Sequence, residues 1–221
     1  MNDGTIYVEN INGGAYAVYV SNNTISEIRG GDISAYSEAE GANAIGIIAT
    51  KGTCDIYGGN ITANGTKYSS RAVDFEGSVV ATIHAGKLTG ISETGTAMGV
   101  FTSVDTTIES GEIIANSTGA GDAYAIRITG SADLIINNGT ITALNTSTGG
   151  VRGIYSSGGE ITINNGHISA QGNAYVYGMR TTGTKVNALG GTIVATNSAT
   201  GNNVYGIYES SSSEVILDGA N

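Results

Sequence analysis

The sequence predicts a single all-β domain, a parallel β-helix of eight coils with about 27 residues and three short strands in each. Three observations carry this prediction. First, a Gly followed two residues later by Ile or Leu recurs at Gly4, Gly31, Gly59, Gly86, Gly111, Gly139, Gly166 and Gly191, with spacings of 25 to 28, and Gly219 opens a ninth step. Second, apolar residues alternate with period two inside a filler of Gly, Ser, Thr and Asn. That composition opposes helix and suits short strands joined by turns. Third, the 221 residues contain no Pro, where average usage gives roughly eleven. Proline lacks the N–H that a sheet ladder needs, so its absence fits a chain that is ladder nearly throughout.

Each coil offers three aliphatic positions. The first strand, Gly-x-Ile-x-Ala in its clearest copies, supplies Ile6, Ile33, Ile61, Leu88, Ile113, Ile141, Ile168 and Ile193. The second supplies Val18, Ile47, Val73, Val100, Ile126, Ile154, Met179 and Ile207. The third lies three residues before the next anchor glycine: Ile28, Ile56, Ile83, Ile108, Ile136, Ile163, Ala188 and Ile216. Burial of one Ile contributes roughly 1.5–3 kcal/mol, whereas ordering each backbone residue costs about 1–2 kcal/mol. No coil stands alone on those terms, so stability is expected from coil-on-coil stacking. The whole of 1–221 is read as one continuous domain. Met1 enters the first repeat almost at once, and we read it as a boundary inside a longer protein.

Repeated Gly-Gly-x-Ile steps, such as Gly30-Gly31-Asp32-Ile33, Gly58-Gly59-Asn60-Ile61 and Gly190-Gly191-Thr192-Ile193, extend this pattern over the whole chain. In this the sequence resembles the single-chain parallel β-helices of bacterial surface and secreted proteins, including autotransporter adhesin passenger domains and the pectin-lyase-like architecture. The resemblance implies a right-handed coil, an extracellular or cell-surface setting and membership of a larger protein.

Acids outnumber bases 19 to 9, a formal charge of −10. This argues against nucleic-acid binding, which relies on Lys and Arg to neutralise phosphate, and against an anionic membrane surface. No stretch approaches the ~20 apolar residues of a membrane helix, and no signal peptide precedes the repeats. The single Cys54 rules out a disulfide framework and shares a column with Ala81, Thr106, Leu134, Ile161 and Val186. A small buried thiol is expected there.

Polysaccharide-cleaving enzymes use the same architecture, but the aspartates here are scattered without an Asp-Asp pair. The best local acid–base group is Asp74 with Arg71 and Glu76, for which a solvated ion pair is the plainer account. His84 and His167 share no metal-ligand spacing with Cys54 or an acid, and no metal or cofactor is expected. Threonine pairs of the kind that bind ice flank the first-strand Ile in one coil only, at Thr140 and Thr142. Asn137-Asn138 and Asn164-Asn165 recur at one turn position and read as a structural ladder.

The second strand holds the candidate site. A small column (Ala17, Gly46, Ala72, Gly99, Ala125, Gly153, Gly178, Gly206) directly precedes the aliphatic one. Strict alternation would put Tyr16, Ile45, Arg71, Met98, Tyr124, Arg152, Tyr177 and Tyr205 inside, and an unpaired arginine in a dry core costs several kcal/mol. A kink at the small residue is therefore predicted, which turns that column outward. The column two beyond the small residue then also faces out: Tyr19, Ile48, Asp74, Phe101, Arg127, Tyr155, Arg180 and Tyr208. The two columns hold seven of the twelve Tyr and four of the five Arg. Exposed Tyr and Arg side by side are enriched at binding hot spots. The expected function is thus a rigid extracellular scaffold with an adhesive face, formed by Tyr16, Tyr19, Tyr124, Arg127, Arg152, Tyr155, Tyr177, Arg180, Tyr205 and Tyr208. Its partner would be a glycan or a neighbouring or host protein. The alternatives are a carbohydrate-binding or carbohydrate-cleaving β-helix and a filament subunit that self-associates end to end through uncapped coils.

Overall fold

The computed structural model describes residues 1–200 and 202–219. These residues contain twenty-two strands and no helix, and every strand pairing is parallel. The first strands of the eight coils (Thr5–Asn10, Asp32–Ser37, Asn60–Gly65, Lys87–Ser92, Glu112–Ser117, Thr140–Asn145, His167–Gly172 and Thr192–Asn197) form one eight-stranded sheet in strict sequence order. Such an order is the signature of a β-helix, because each strand finds its partner one full coil later. At ~4.8 Å per rung, eight coils make a rod of roughly 40 Å.

Second and third strands share a single fourteen-stranded sheet. Six coils keep them apart, as in Ala123–Ile128 and Leu134–Ile136, but the second and third coils run them together as Ala44–Ile56 and Ser70–Ile83. The bend survives there as a register shift between Ala49 and Lys51. Three short strands per coil therefore holds for most of the rod, with two coils bridging the faces.

The anchor glycines turn the chain from the third strand into the next first strand. All eight have positive φ, between 86° and 124°. Only Gly adopts this region at little steric cost, and space gives a second reason. A Cβ on Gly59 would lie 2.7 Å from the Gly31 carbonyl oxygen of the coil below. The ladder continues through the corner, with the amides of Asp32, Asn60 and Lys87 each donating to the anchor carbonyl of the preceding coil at 2.9 Å.

The three predicted columns form the core. Ile33, Ile61, Leu88, Ile113, Ile141 and Ile168 are buried in the first, and Ile47, Val73, Val100, Ile126, Ile154 and Met179 in the second. The third holds from Ile28 to Ala188. Its last member is corrected by one residue, because Ala188 pairs with Leu217 while Ile216 stacks on Asn187. The slip follows Ser211 and Ser212, both at positive φ, which take up an extra residue before the strand Glu214–Leu217. Gly219 consequently sits above Leu189 rather than at the anchor position.

One buried polar column escaped the sequence reading. Ser37, Ser92, Ser117 and Asn145 end their first strands pointing inward, and each donates to a carbonyl of the following or neighbouring turn: Gly13, Tyr68, Gly121 and Gly121 respectively. These bonds satisfy carbonyls that no ladder reaches. The asparagine ladder is present: Asn164 Nδ2 donates to Asn137 Oδ1 at 2.7 Å, and Asn137 Nδ2 to Glu109 Oε2 at 2.8 Å.

Cys54 is 1% exposed, stacked between Ser26 and Ala81. Burial, with a smaller contribution from Asp55, pushes its thiol up to about 12, so almost no thiolate forms at neutral pH. The folded protein is expected to resist maleimide for hours at pH 7.5 and to label at once in denaturant, as read by mass spectrometry. Rapid labelling without denaturant would contradict the packing.

Candidate functional site

The site begins with a break in the ladder. In every second strand the paired positions skip the small residue: Tyr124 pairs with Arg152 and Ile126 with Ile154, while Ala125 and Gly153 have no paired partner. The same skip occurs from Tyr16/Ile45 at one end to Tyr177/Tyr205 at the other. At this kink two consecutive residues face the core. A Cβ on Gly46, Gly99, Gly153 or Gly178 would strike the Cγ2 methyl of Ile61, Ile113, Ile168 or Ile193, each within 2.7 Å. Two inward residues in a row reverse the side-chain parity, so the residues before and after the pair both lie on the outer side. Ile45, Met98 and Tyr177 are buried, yet they stand outside the core cluster that contains Ala72, Ala125 and all the aliphatic columns.

The outward surface differs from an open array of rings. Tyr16 and Tyr19 are 47% and 62% exposed. The remaining predicted site residues (Tyr124, Arg127, Arg152, Tyr155, Arg180, Tyr205 and Tyr208) are half-buried, and Tyr177 is only 8% exposed. The expectation of full exposure is corrected accordingly. The cause is the rung spacing: neighbours ~4.8 Å apart must stack, and stacked groups cover one another's faces. Tyr177 lies against Tyr205, with centroids 5.3 Å apart and planes 6° apart, and meets Tyr208 edge-on at 5.5 Å. The Arg152 and Arg180 guanidiniums stand 5.7 and 5.4 Å from its centroid.

In coils five to seven the two columns make a checkerboard: Tyr124 beside Arg127, then Arg152 beside Tyr155, then Tyr177 beside Arg180. Arg127 contacts Phe101, Tyr124 and Tyr155 at 5.9, 5.3 and 6.0 Å, and Arg180 contacts Tyr208 at 5.9 Å. Each such contact is worth roughly 0.5–2 kcal/mol, more as water is excluded. Arg152 also donates to Asp122 Oδ2 at 2.7 Å, which accepts the Tyr124 hydroxyl at 2.8 Å. Burial, opposed by Arg152 and aided by Asp122, pushes Tyr124 up to about 12, so the phenol stays a donor. Among the described residues, Arg127 and Arg180 have no carboxylate within ion-pairing distance. Their charges are held by aromatic rings alone, which leaves guanidinium rims free to bind.

Below the checkerboard lies Asp74, 1% exposed and ion-paired with Arg71 at 2.5 Å. Its second oxygen, Oδ1, has no partner. Burial pushes this carboxyl up to about 6 even though Arg71 pulls the other way. Arg71 also stacks on Phe101 at 4.3 Å and stands 3.9 Å from Glu76. Arg71 and Asp74 are thus packed rather than solvated, while the Glu76 side chain stays 42% exposed.

Turns before the second strands contribute what sequence columns could not show. Tyr68, Ser69, Thr94, Gly95, Thr96 and Gly121 wall a cavity of about 320 Å³ against Arg71, Met98 and Arg127. Tyr68, Gly95 and Gly121 stand three residues before Arg71, Met98 and Tyr124, but they differ in type from coil to coil, so no repeated residue marks the position. His84, expected as a plain surface residue, stacks flat on Tyr57 at 4.2 Å and lies 3.5 Å from Asp55, and Arg29 covers the Tyr57 ring at 4.8 Å.

Two outcomes test this geometry. Gly153→Val should destabilise the fold by about 1–3 kcal/mol in chemical denaturation, because its branches press on the Gly178 carbonyl and Ile168. Between pH 3.8, the ordinary Asp value, and about 6, folded Asp74 holds its proton more tightly than the unfolded chain does. The resulting stabilisation is complete below that window and is lost as pH rises through about 6. Asp74→Asn, always neutral, should flatten this fall in the denaturation midpoint.

Compared with known proteins, the chain matches no family model and shows no significant similarity to a curated protein or to a solved structure.

Proposed function

We propose that the protein is a rigid extracellular or cell-surface scaffold whose Tyr/Arg face binds a glycan or a neighbouring protein. One observation carries this reading: the ladder skip at the small column, repeated in each coil, sets Tyr and Arg in adjacent outward rows. A skip that served packing alone would be satisfied by any polar residue in those rows. Tyr and Arg are the types that supply large, stiff contact area and bidentate donors to a partner. Rigidity is supported by the first-strand sheet, which pairs in order through all eight coils, and by a core that runs through every coil.

A carbohydrate ligand fits the same surface, since sugars present C–H faces to ring edges and hydroxyls to guanidinium donors. Cleavage is less favoured, because the Asp74 carboxylate is buried and committed to Arg71. End-to-end self-association is a second reading. Strands Thr5–Asn10 and Thr192–Asn197 each have a ladder neighbour on one side only, and such edges accept further strands. Met1 already occupies the rung position below Ile28, its carbonyl accepting the Arg29 amide. A second copy stacked in register would therefore bring its Met1 to the place that Leu217 fills, and one terminus would have to yield.

Replacement of Tyr155, Arg180 and Tyr208 together by Ser tests the face. Binding on a glycan array, or to the partner protein, should fall at least ten-fold, with a lower thermal midpoint from the lost stacking. Sedimentation over a concentration series reads self-association separately. Unchanged binding by a folded variant would remove the reading.

A further inference from the structure

The cavity beside the checkerboard has a chemistry of its own. Its lining carries two guanidiniums, Arg71 and Arg127, and no carboxylate, in a chain where acids outnumber bases two to one. Both arginines line the cavity, and they contact the Phe101 ring at 4.3 and 5.9 Å from the coils before and after it. Arg71 spends Nη1 on Asp74, whereas Arg127 has no carboxylate partner among the described residues. The walls are hydroxyl-rich, with Ser69, Thr94, Thr96 and Tyr68, and the Ser69 hydroxyl lacks a hydrogen-bond partner. Met98 supplies an apolar patch, and the half-exposed Tyr68 ring stands at the edge. The volume of about 320 Å³ is at the small end for ligand sites.

We infer that this cavity is a subsite for a small hydroxylated carboxylate of the size of one sugar-acid ring. Its carboxylate would lie between Arg71 and Arg127, its hydroxyls toward Ser69 and Thr96, and its C–H face on Met98 or Tyr68. Guanidinium pairs favour a planar carboxylate because two parallel N–H donors match its two oxygens. The hydroxyl walls favour a sugar acid over an acidic peptide side chain. The inference names a ligand class for one end of the proposed binding face, but it does not depend on the C-terminal rows of that face.

The test uses the wild-type protein with ¹³C-methyl methionine. The chain has three methionines: Met98 lines the cavity, Met179 is in the core, and Met1 is at the first rung. Glucuronate should shift the Met98 methyl in a saturable manner and leave Met1 and Met179 unmoved, while glucose should do nothing. Arg127→Gln, with its fold checked by circular dichroism, should weaken this response roughly ten-fold, the usual scale for loss of a charge-assisted hydrogen bond. The Arg180/Tyr208 double Ser variant, which keeps the Tyr155 ring beside Arg127, should retain it, which separates this site from the wider face. Absence of a Met98 shift, an equal shift with glucose, or an equal response to acetate or N-acetylglutamate would overturn the assignment.

Discussion

Coil-on-coil hydrogen bonding fixes one distance, ~4.8 Å, and the rest of the molecule follows from it. Inside, that spacing brings Ile onto Ile in three columns and closes the core without any residue larger than Phe75. Outside, it forbids independent side chains. A Tyr ring or a guanidinium is wider than one rung step, so each must stack on, or stand edge-on to, its neighbour. The checkerboard in coils five to seven meets this constraint with opposite electronic character in adjacent cells. No Arg there has another Arg directly above, below or beside it, an order that avoids the destabilisation of like charges facing across a ladder.

The small column makes that outer surface possible. Glycine in a strand loses more conformational entropy than other residues and packs nothing, so five Gly among eight equivalent positions need a steric cause. The cause is visible at Gly46, Gly99, Gly153 and Gly178, where a Cβ would meet both an Ile methyl and the next coil's carbonyl, while at Gly206 a Cβ would meet nothing within 4 Å. By placing two residues inward in succession, the kink adds a core contact and also exports the residues on both sides of it. Core packing and surface display thus share one backbone feature, and neither can be altered without the other.

The parts of the molecule legible in the sequence were those that depend on spacing along the chain. The eight anchors, the three columns and the kink are all repeated at fixed offsets, and the arginines at 71 and 152 alone were enough to exclude strict alternation. Features that depend on turns were not legible. Ile216 reads as a core residue by its distance from Gly219, but two serines at positive φ move the register, and Leu217 pairs with Ala188 while staying 60% exposed. The cavity joins three turns whose equivalent residues, Tyr68, Gly95 and Gly121, differ in type, so the column they form carries no repeated residue. Side-chain exposure was also beyond the pattern, since Tyr177 and Tyr16 occupy one column but have different neighbours: Tyr16 borders Ile45 on one side and nothing on the other.

Electrostatics connects the scaffold to the ligand chemistry proposed for its cavity. A formal charge of −10 repels anionic surfaces at long range, and four of the five arginines stand on a single face. With a Debye length of about 8 Å at physiological salt, the two effects act at different distances. An extended polyanion would meet the charge of the whole acidic rod. A single carboxylate inside the cavity sees Arg71 and Arg127 at close quarters, and part of its screening by water is replaced by the walls of three turns. In the proposed subsite the local positive charge therefore comes mainly from Arg127, which the aromatic ladder holds with no carboxylate partner among the described residues, while Arg71 shares its charge with Asp74.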